Sequence, residues 1–293
     1  MKRGIARTAV RRWGVALAVP VLLGSCATTD DAGAPEPVRT PTPTPTLALR
    51  IERTGGLIGP AVEPGRLPAL SAYADGRVIT PGPQIAVYPP PALPALQVQD
   101  AGMDTVARLA VDAVMAGVQP DTDFGDPGVA DATTTVVTAV TGEGVHRVRV
   151  PALIEASVDD PELTPAQRAA RTRLKNFIQR ATRLPTDDHL PEPEPYRSVS
   201  LAALARPYTP ADEAPVSPAP TRQWPGPALP GAVVATDGRI TCTVVTGAEA
   251  DRVRDAAAQA SVLTPWRSGD KTWDVTFRPL LPDESACTDL AGF

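Results

Sequence analysis

Acid–base and nucleophilic chemistry at neutral pH draws on histidine, a reactive thiol or a positioned carboxylate pair, and this chain of 293 residues carries only two histidines and three cysteines. His146 lies in the alternating stretch GVHRVRV on the side shared with Val148 and Val150, which gives it a structural place in a strand rather than a catalytic one. His189, in LPTDDHLPEPEP, follows Asp187 and Asp188. Those donors suit a metal by type but not by spacing, because three adjacent residues cannot easily wrap one ion. DTDFGDPGVADA, from Asp121, opens like a calcium loop, yet Gly125 and Asp126 reverse the order an EF-hand needs and its twelfth position is Ala132 instead of a bidentate Glu. A turn in which Asp131 bonds nearby backbone amides is expected there. Arg278, Asp283 and Glu284, in FRPLLPDESAC, read as an ion-paired structural corner. No Gly-x-Ser-x-Gly, His-Glu-x-x-His or glycine-rich phosphate loop occurs. The catalytic residues are therefore unassigned, and no cofactor and no metal is expected.

The cysteines carry more information. Ahead of Cys26, the basic residues Lys2, Arg3, Arg7, Arg11 and Arg12 precede an apolar run from Val15 to Leu23, the layout of a secretory signal peptide over residues 1–25. The run falls well short of the roughly 20 residues that span a bilayer, and Pro20 interrupts it. Leu23-Gly24-Ser25-Cys26 resembles the lipobox of bacterial lipoproteins. That resemblance implies a diacylglyceryl thioether on Cys26, cleavage before it, and two or three acyl chains, enough for stable anchoring. The expected partner is the membrane, at its extracytoplasmic face, with an envelope protein or polymer as a further one. Once Cys26 is lipidated, Cys242 and Cys287 are an even pair in an oxidising compartment and are expected to form a disulfide. Cys242 shares a strand face with Ile240 and Val244, whereas Cys287 follows Pro282 in a tail without regular pattern. The bridge closes a loop of about 46 residues, for which chain entropy gives roughly 4 kcal/mol.

Removing the leader takes Lys plus Arg from 28 to 23 against 33 acids, a net charge of −10, which speaks against nucleic acid as a partner. The helix-patterned stretch RAARTRLKNFIQRATR runs against this balance. Its cations Arg168, Arg171, Arg173, Lys175, Arg180 and Arg183 lie opposite an apolar face of Ala170, Leu174, Phe177, Ile178 and Ala181. In a membrane-tethered protein such a face could meet anionic lipid or polymer, although a solvated face is the default.

The elements that would position these residues follow from periodicity and turn chemistry. ATTDDAGAPEPVRTPTPTPT makes residues 26–46 an extended tether behind the lipidated cysteine. Residues 47–205 read as an α+β domain of antiparallel hairpins and two packed helices. LALRIER and LPALSAYADGRVIT are strands turning at Asp75-Gly76, and Asp100 caps a helix to Gly117 with Met103, Val106, Ala110, Ala113 and Val114 on one face. TTTVVTAVTGEGVHRVRV is a hairpin in which Val137 faces Val148 and Ala139 faces His146, and Thr164-Pro165-Ala166-Gln167 is a capping box. Residues 206–230 form a proline-rich linker. Residues 231–293 form a small split βαβ-like unit with the disulfide, its helix opened by a second capping box at Thr246 and Glu249.

DGRVITPGPQ, YPPPALP, DATTTVV and RPLLPDE resemble an uncharacterised family of secreted and lipid-anchored proteins of high-GC Gram-positive bacteria. The resemblance implies this architecture and brings no activity with it. The functional expectation is a lipid-anchored cell-envelope protein with a non-enzymatic binding or accessory structural role. The alternatives are an envelope hydrolase with an unrecognised site and a solute-binding lipoprotein.

Overall fold

The computed structural model describes residues 45–58, 62–84, 86–157, 159–210, 219–234 and 239–290. Cys26 and the expected leader lie outside the described residues. The compact unit that begins at Pro43 is built on two sheets.

The first sheet is formed by β1 (Leu47–Gly55), β2 (Leu70–Tyr73), β3 (Arg77–Pro81) and β4 (Leu96–Asp100), then, beyond helix α1 (Met103–Met115), by the hairpin β5 (Thr133–Thr141) and β6 (Gly144–Pro151). After helix α2 (Pro165–Thr182), the short β7 (Glu194–Pro195) completes it. The order is β6-β5-β1-β2-β3-β4-β7, antiparallel throughout. Both anticipated hairpins are present. Gly76 turns β2 into β3 at φ +94°, a conformation only glycine adopts without strain, and β5 pairs with β6 in the expected register, Val137 opposite Val148 and Ala139 opposite His146. That register puts Leu49, Ile51, Ala72, Val137 and Val150 on one face, where α1 and α2 cover them with Val106, Ala113, Leu174 and Phe177.

Helix starts follow the local sequence unevenly. Thr164 closes its capping box: its Oγ accepts from Gln167 N at 3.3 Å, and its own N–H donates to Gln167 Oε1 at 2.8 Å. Asp100 instead accepts from Gly102 N at 2.9 Å, bracing the turn ahead of α1, whose N-cap is Gly102. The second expected box does not form, because Thr246 makes no side-chain cap bond although the helix begins right after it.

The second sheet comprises β8 (Ser200–Pro207), β9 (Arg222–Gln223), β10 (Ala232–Val233), β11 (Thr241–Thr246), β12 (Trp266–Ser268) and β13 (Lys271–Pro279), with helix α3 (Gly247–Ala258) between β11 and β12. Its order is β10-β11-β8-β13-β12-β9, antiparallel except for β12 with β9. β11 and β13 both run opposite to β8 and so parallel to each other, the split βαβ arrangement. The strand that splits them begins before the proline-rich stretch 206–230, and that stretch itself carries the end of β8 and all of β9 in the same sheet. β8 can hold that central place because SLAALARP is apolar on both faces. Leu201, Ala203 and Ala205 lie under α3 with Val253, Trp266 and Phe277, while Ala202 and Leu204 face Ile240, Cys242 and Leu280. Cys242 and Cys287 are bridged across that second face with Cα atoms 6.0 Å apart. Leu281, just past β13, packs with Tyr73, Ile79 and Leu96 of the first sheet, so the chain leaving one sheet seals the uncovered face of the other.

Candidate functional site

The residues whose types could do chemistry fall at separate places. His146 is half-buried, its Nε2 3.3 Å from Thr141 Oγ1 across the end of the β5–β6 hairpin. That hydroxyl also accepts from Glu143 N at 3.2 Å, so the pair closes a turn, and no carboxylate is recorded against the ring to orient it as a base. His189 is exposed, and its N–H donates to Asp187 Oδ1 at 3.0 Å, a local Asx turn. In the calcium-like loop the backbone amides are bound by Asp123, to Gly125 N at 2.8 Å, and by Asp126, to Gly128 N at 3.0 Å. Asp131, expected to make such bonds, instead sits in the left-handed region at φ +54°. Asp123 Oδ2 further accepts from Gln167 Nε2 at 2.8 Å; this bond and that from Gly125 N hold its carboxyl below the ordinary range. Among the described residues no three His, Cys, Asp or Glu side chains gather as a metal ion would require.

The basic face of α2 is smaller than its sequence indicates. Arg171, only 4% exposed, turns inward and donates to the carbonyls of Phe124, Pro151 and Ala152 at 3.1, 2.8 and 2.6 Å. Burial lowers its pKa, against the pull of Asp126. Arg168 donates to the carbonyls of Asp160 and Leu163, and Lys175 to that of Ala156. These cations pin the loops around α2, leaving Arg173, Arg180 and Arg183 as its outward charges.

The C-terminal corner is the most buried charge cluster described. Arg278 Nη2 meets Glu284 Oε1 at 2.8 Å with both side chains at most 5% exposed, and Glu284 Oε2 accepts from Leu281 N at 2.8 Å. Asp283 turns the other way, accepting from Arg50 at 2.7 Å and from the Tyr73 hydroxyl at 2.8 Å. Burial pushes the Tyr73 phenol far up, the Arg50 charge opposing and Asp283 reinforcing the shift. For Arg50, burial works against the charge, but Asp283, Tyr73 and Glu284 together outweigh it and the pKa stays above the ordinary value. The cluster's geometry is that of a clasp between the sheets, joining Arg50 and Tyr73 of the first to the segment that follows β13.

A concavity lies along α1, a groove of about 350 Å³ lined by the apolar residues Met103, Val106, Ala107, Val111 and Val140 together with Ala48 and Ala74. Asp104 and Thr141 are the polar residues on its lining. Met103, expected on the buried face, is instead 66% exposed, and Val111 is 52% exposed. The signal was legible in MDTVARLAVDAVM: Met103, Ala107, Val111 and Met115 recur every four residues, a second apolar stripe beside the buried Val106, Ala110 and Ala113. A groove so lined can hold apolar matter, and it presents neither a nucleophile–base pair nor an anion cradle. The carbonyl of Thr46, just ahead of β1, accepts from Ala74 N at 2.8 Å, so the entry to β1 lies beside the groove's lining.

No protein-family model matches this chain, and searches of curated proteins and of solved structures return no match.

Proposed function

We propose that this chain is a lipid-anchored protein of the extracytoplasmic face of a bacterial cell membrane that acts by binding rather than by catalysis. The observation that carries the proposal is the contiguous run of a basic front, a short apolar stretch and Leu23-Gly24-Ser25-Cys26. The bound pair Cys242–Cys287 is in keeping with an oxidising compartment. Binding is favoured over hydrolysis because the groove along α1 is apolar and the two histidines stand in turns away from a nucleophile–base–acid set. A solute-binding lipoprotein would want two α/β lobes on parallel strands, and both sheets here are antiparallel apart from β12 with β9.

The test is the mass and location of the exported protein. Wild type should partition into detergent and carry the added mass of a diacylglyceryl group on Cys26, while Cys26→Ser should appear in the medium or remain unprocessed. An unmodified Cys26 in the exported protein would overturn the proposal.

A further inference from the structure

α1 exposes what a helix in a globular fold ordinarily hides. Its buried side is already matched to the sheet by Val106, Ala110 and Ala113, yet Met103, Ala107 and Val111 form a second apolar row open to solvent. Beside that row runs the groove of about 350 Å³. Where the row lies matters as much as what it contains. Ala48 and Ala74 line the groove, and the Thr46 carbonyl accepts from Ala74 N, so the described chain enters the fold beside it. Some 20 residues separate Cys26 from Thr46, a reach of about 60 Å as a polyproline-like chain and at most about 70 Å fully extended.

We infer that this face of α1 is a membrane-docking surface, with Met103, Ala107 and Val111 entering the acyl region of the leaflet that holds the Cys26 lipid, an inference that rests on the anchor proposed above. The chemistry of the lining selects a bilayer over other occupants. A glycan or peptide polymer needs a row of hydrogen-bonding groups, and the lining offers Asp104 and Thr141. Anionic headgroups would call for lysine or arginine, and none is among the recorded lining residues. A second copy would need roughly 800 Å² on each partner, more than one short apolar row supplies. A bilayer demands no hydrogen-bonding groups from the face, and the strength of the contact scales with the apolar area inserted. The tether supplies the effective concentration that makes a weak contact persist, so a few side chains suffice to lay the domain against the membrane with α1 downward.

The full chain from residue 26, carrying Cys26→Ser so that no lipid contributes, is sedimented with phosphatidylcholine vesicles. The expected result is weak binding that survives high salt and falls by roughly tenfold or more in Val111→Asp. Met103→Asp, at the exposed start of the helix, should act in the same direction, with thermal melts of both variants matching the parent. Absence of vesicle binding at millimolar lipid, binding abolished by salt, or binding indifferent to both substitutions overturns the inference. So does a dimer in vesicle-free solution that Val111→Asp dissociates, which would assign the face to a second copy. The anchor is read separately, from the mass of wild-type protein. A missing lipid would remove the proposed function and leave the vesicle result standing, whereas lipidated protein with a failed vesicle assay would remove only the docking surface.

Discussion

Charge burial separates the ion pairs that hold this molecule from those that decorate it. Arg278 and Glu284 are at most 5% exposed, and Glu284 also accepts a backbone N–H, whereas Arg197 and Asp251 are 65% and 55% exposed. Truncating one member of a buried pair leaves the other's charge unpaired in low dielectric, so Glu284→Ala should cost about 3–5 kcal/mol in denaturant unfolding. Asp251→Ala should leave the unfolding midpoint nearly unchanged; equal losses would mean that the corner is solvated. Tyr73 adds a pH signature. Its folded pKa is raised above the unfolded value of 10.0, chiefly by burial and secondarily by Asp283. A raised folded pKa contributes stability that is complete below the unfolded value and is lost as pH rises. Melting temperature should therefore decline above pH 10, and phenolate absorbance should show Tyr73 ionising late, together with Tyr196, which is pushed up to about 12. Tyr73→Phe should remove its share of the alkaline loss; a profile unchanged by that substitution would refute the assignment.

Elements fixed by neighbours in sequence were legible, and those fixed by distant partners were not. The β5–β6 register follows from alternation and a tight turn, and the Thr164 box from a four-residue motif, so both could be read before any fold was known. Thr164→Ala should cost about 1 kcal/mol of stability by the same local logic, measured by chemical denaturation. β8 has no such local mark. SLAALARP alternates nothing, its small residues suit helix as well as strand, and its place is decided by β11 and β13, which lie beyond the proline-rich stretch. Arg50 and Asp283 lie 233 residues apart, so neither could announce the other. The groove fell between these cases: its apolar row was visible in the helix sequence, but which of the two apolar rows of α1 the sheet buries is decided by tertiary packing, with Val106 and Ala113 in the core and Met103 out of it. The disulfide was inferable from cysteine parity and strand phase, and its effect can be scaled. It spans 45 positions and holds the turn Cys287–Asp289 against the face formed by Leu204, Ile240 and Leu280. Cys287→Ser should lower unfolding stability by up to about 4 kcal/mol and speed hydrogen exchange in that tail; unchanged exchange would show that packing alone holds it.

At the scale of the compact unit, the two sheets depend on each other in both directions. The second takes its central strand from the segment that follows the first, and the first has part of its open face covered by Leu281 and Asp283, which follow the last strand of the second. Reading residues 206–230 as a linker between 47–205 and 231–293 assigns β8 to the first unit, where it has no strand to pair with. Division there also removes the β8 partners of β11 and β13 and uncovers Leu201, Ala203 and Ala205. Cooperative folding of two sheets coupled in this way predicts one transition for the whole unit. A chain ending at residue 230 tests this directly. It should bind a hydrophobic dye through the uncovered β8 and melt below the parent without a sharp transition, because Tyr73 and Arg50 lose Asp283 while Ile79 and Leu96 lose Leu281. A truncated chain that melts cooperatively at the parent's temperature and excludes the dye would show instead that the first sheet and its helices are self-sufficient, and that the strand crossing the proline-rich stretch is a junction between independent domains.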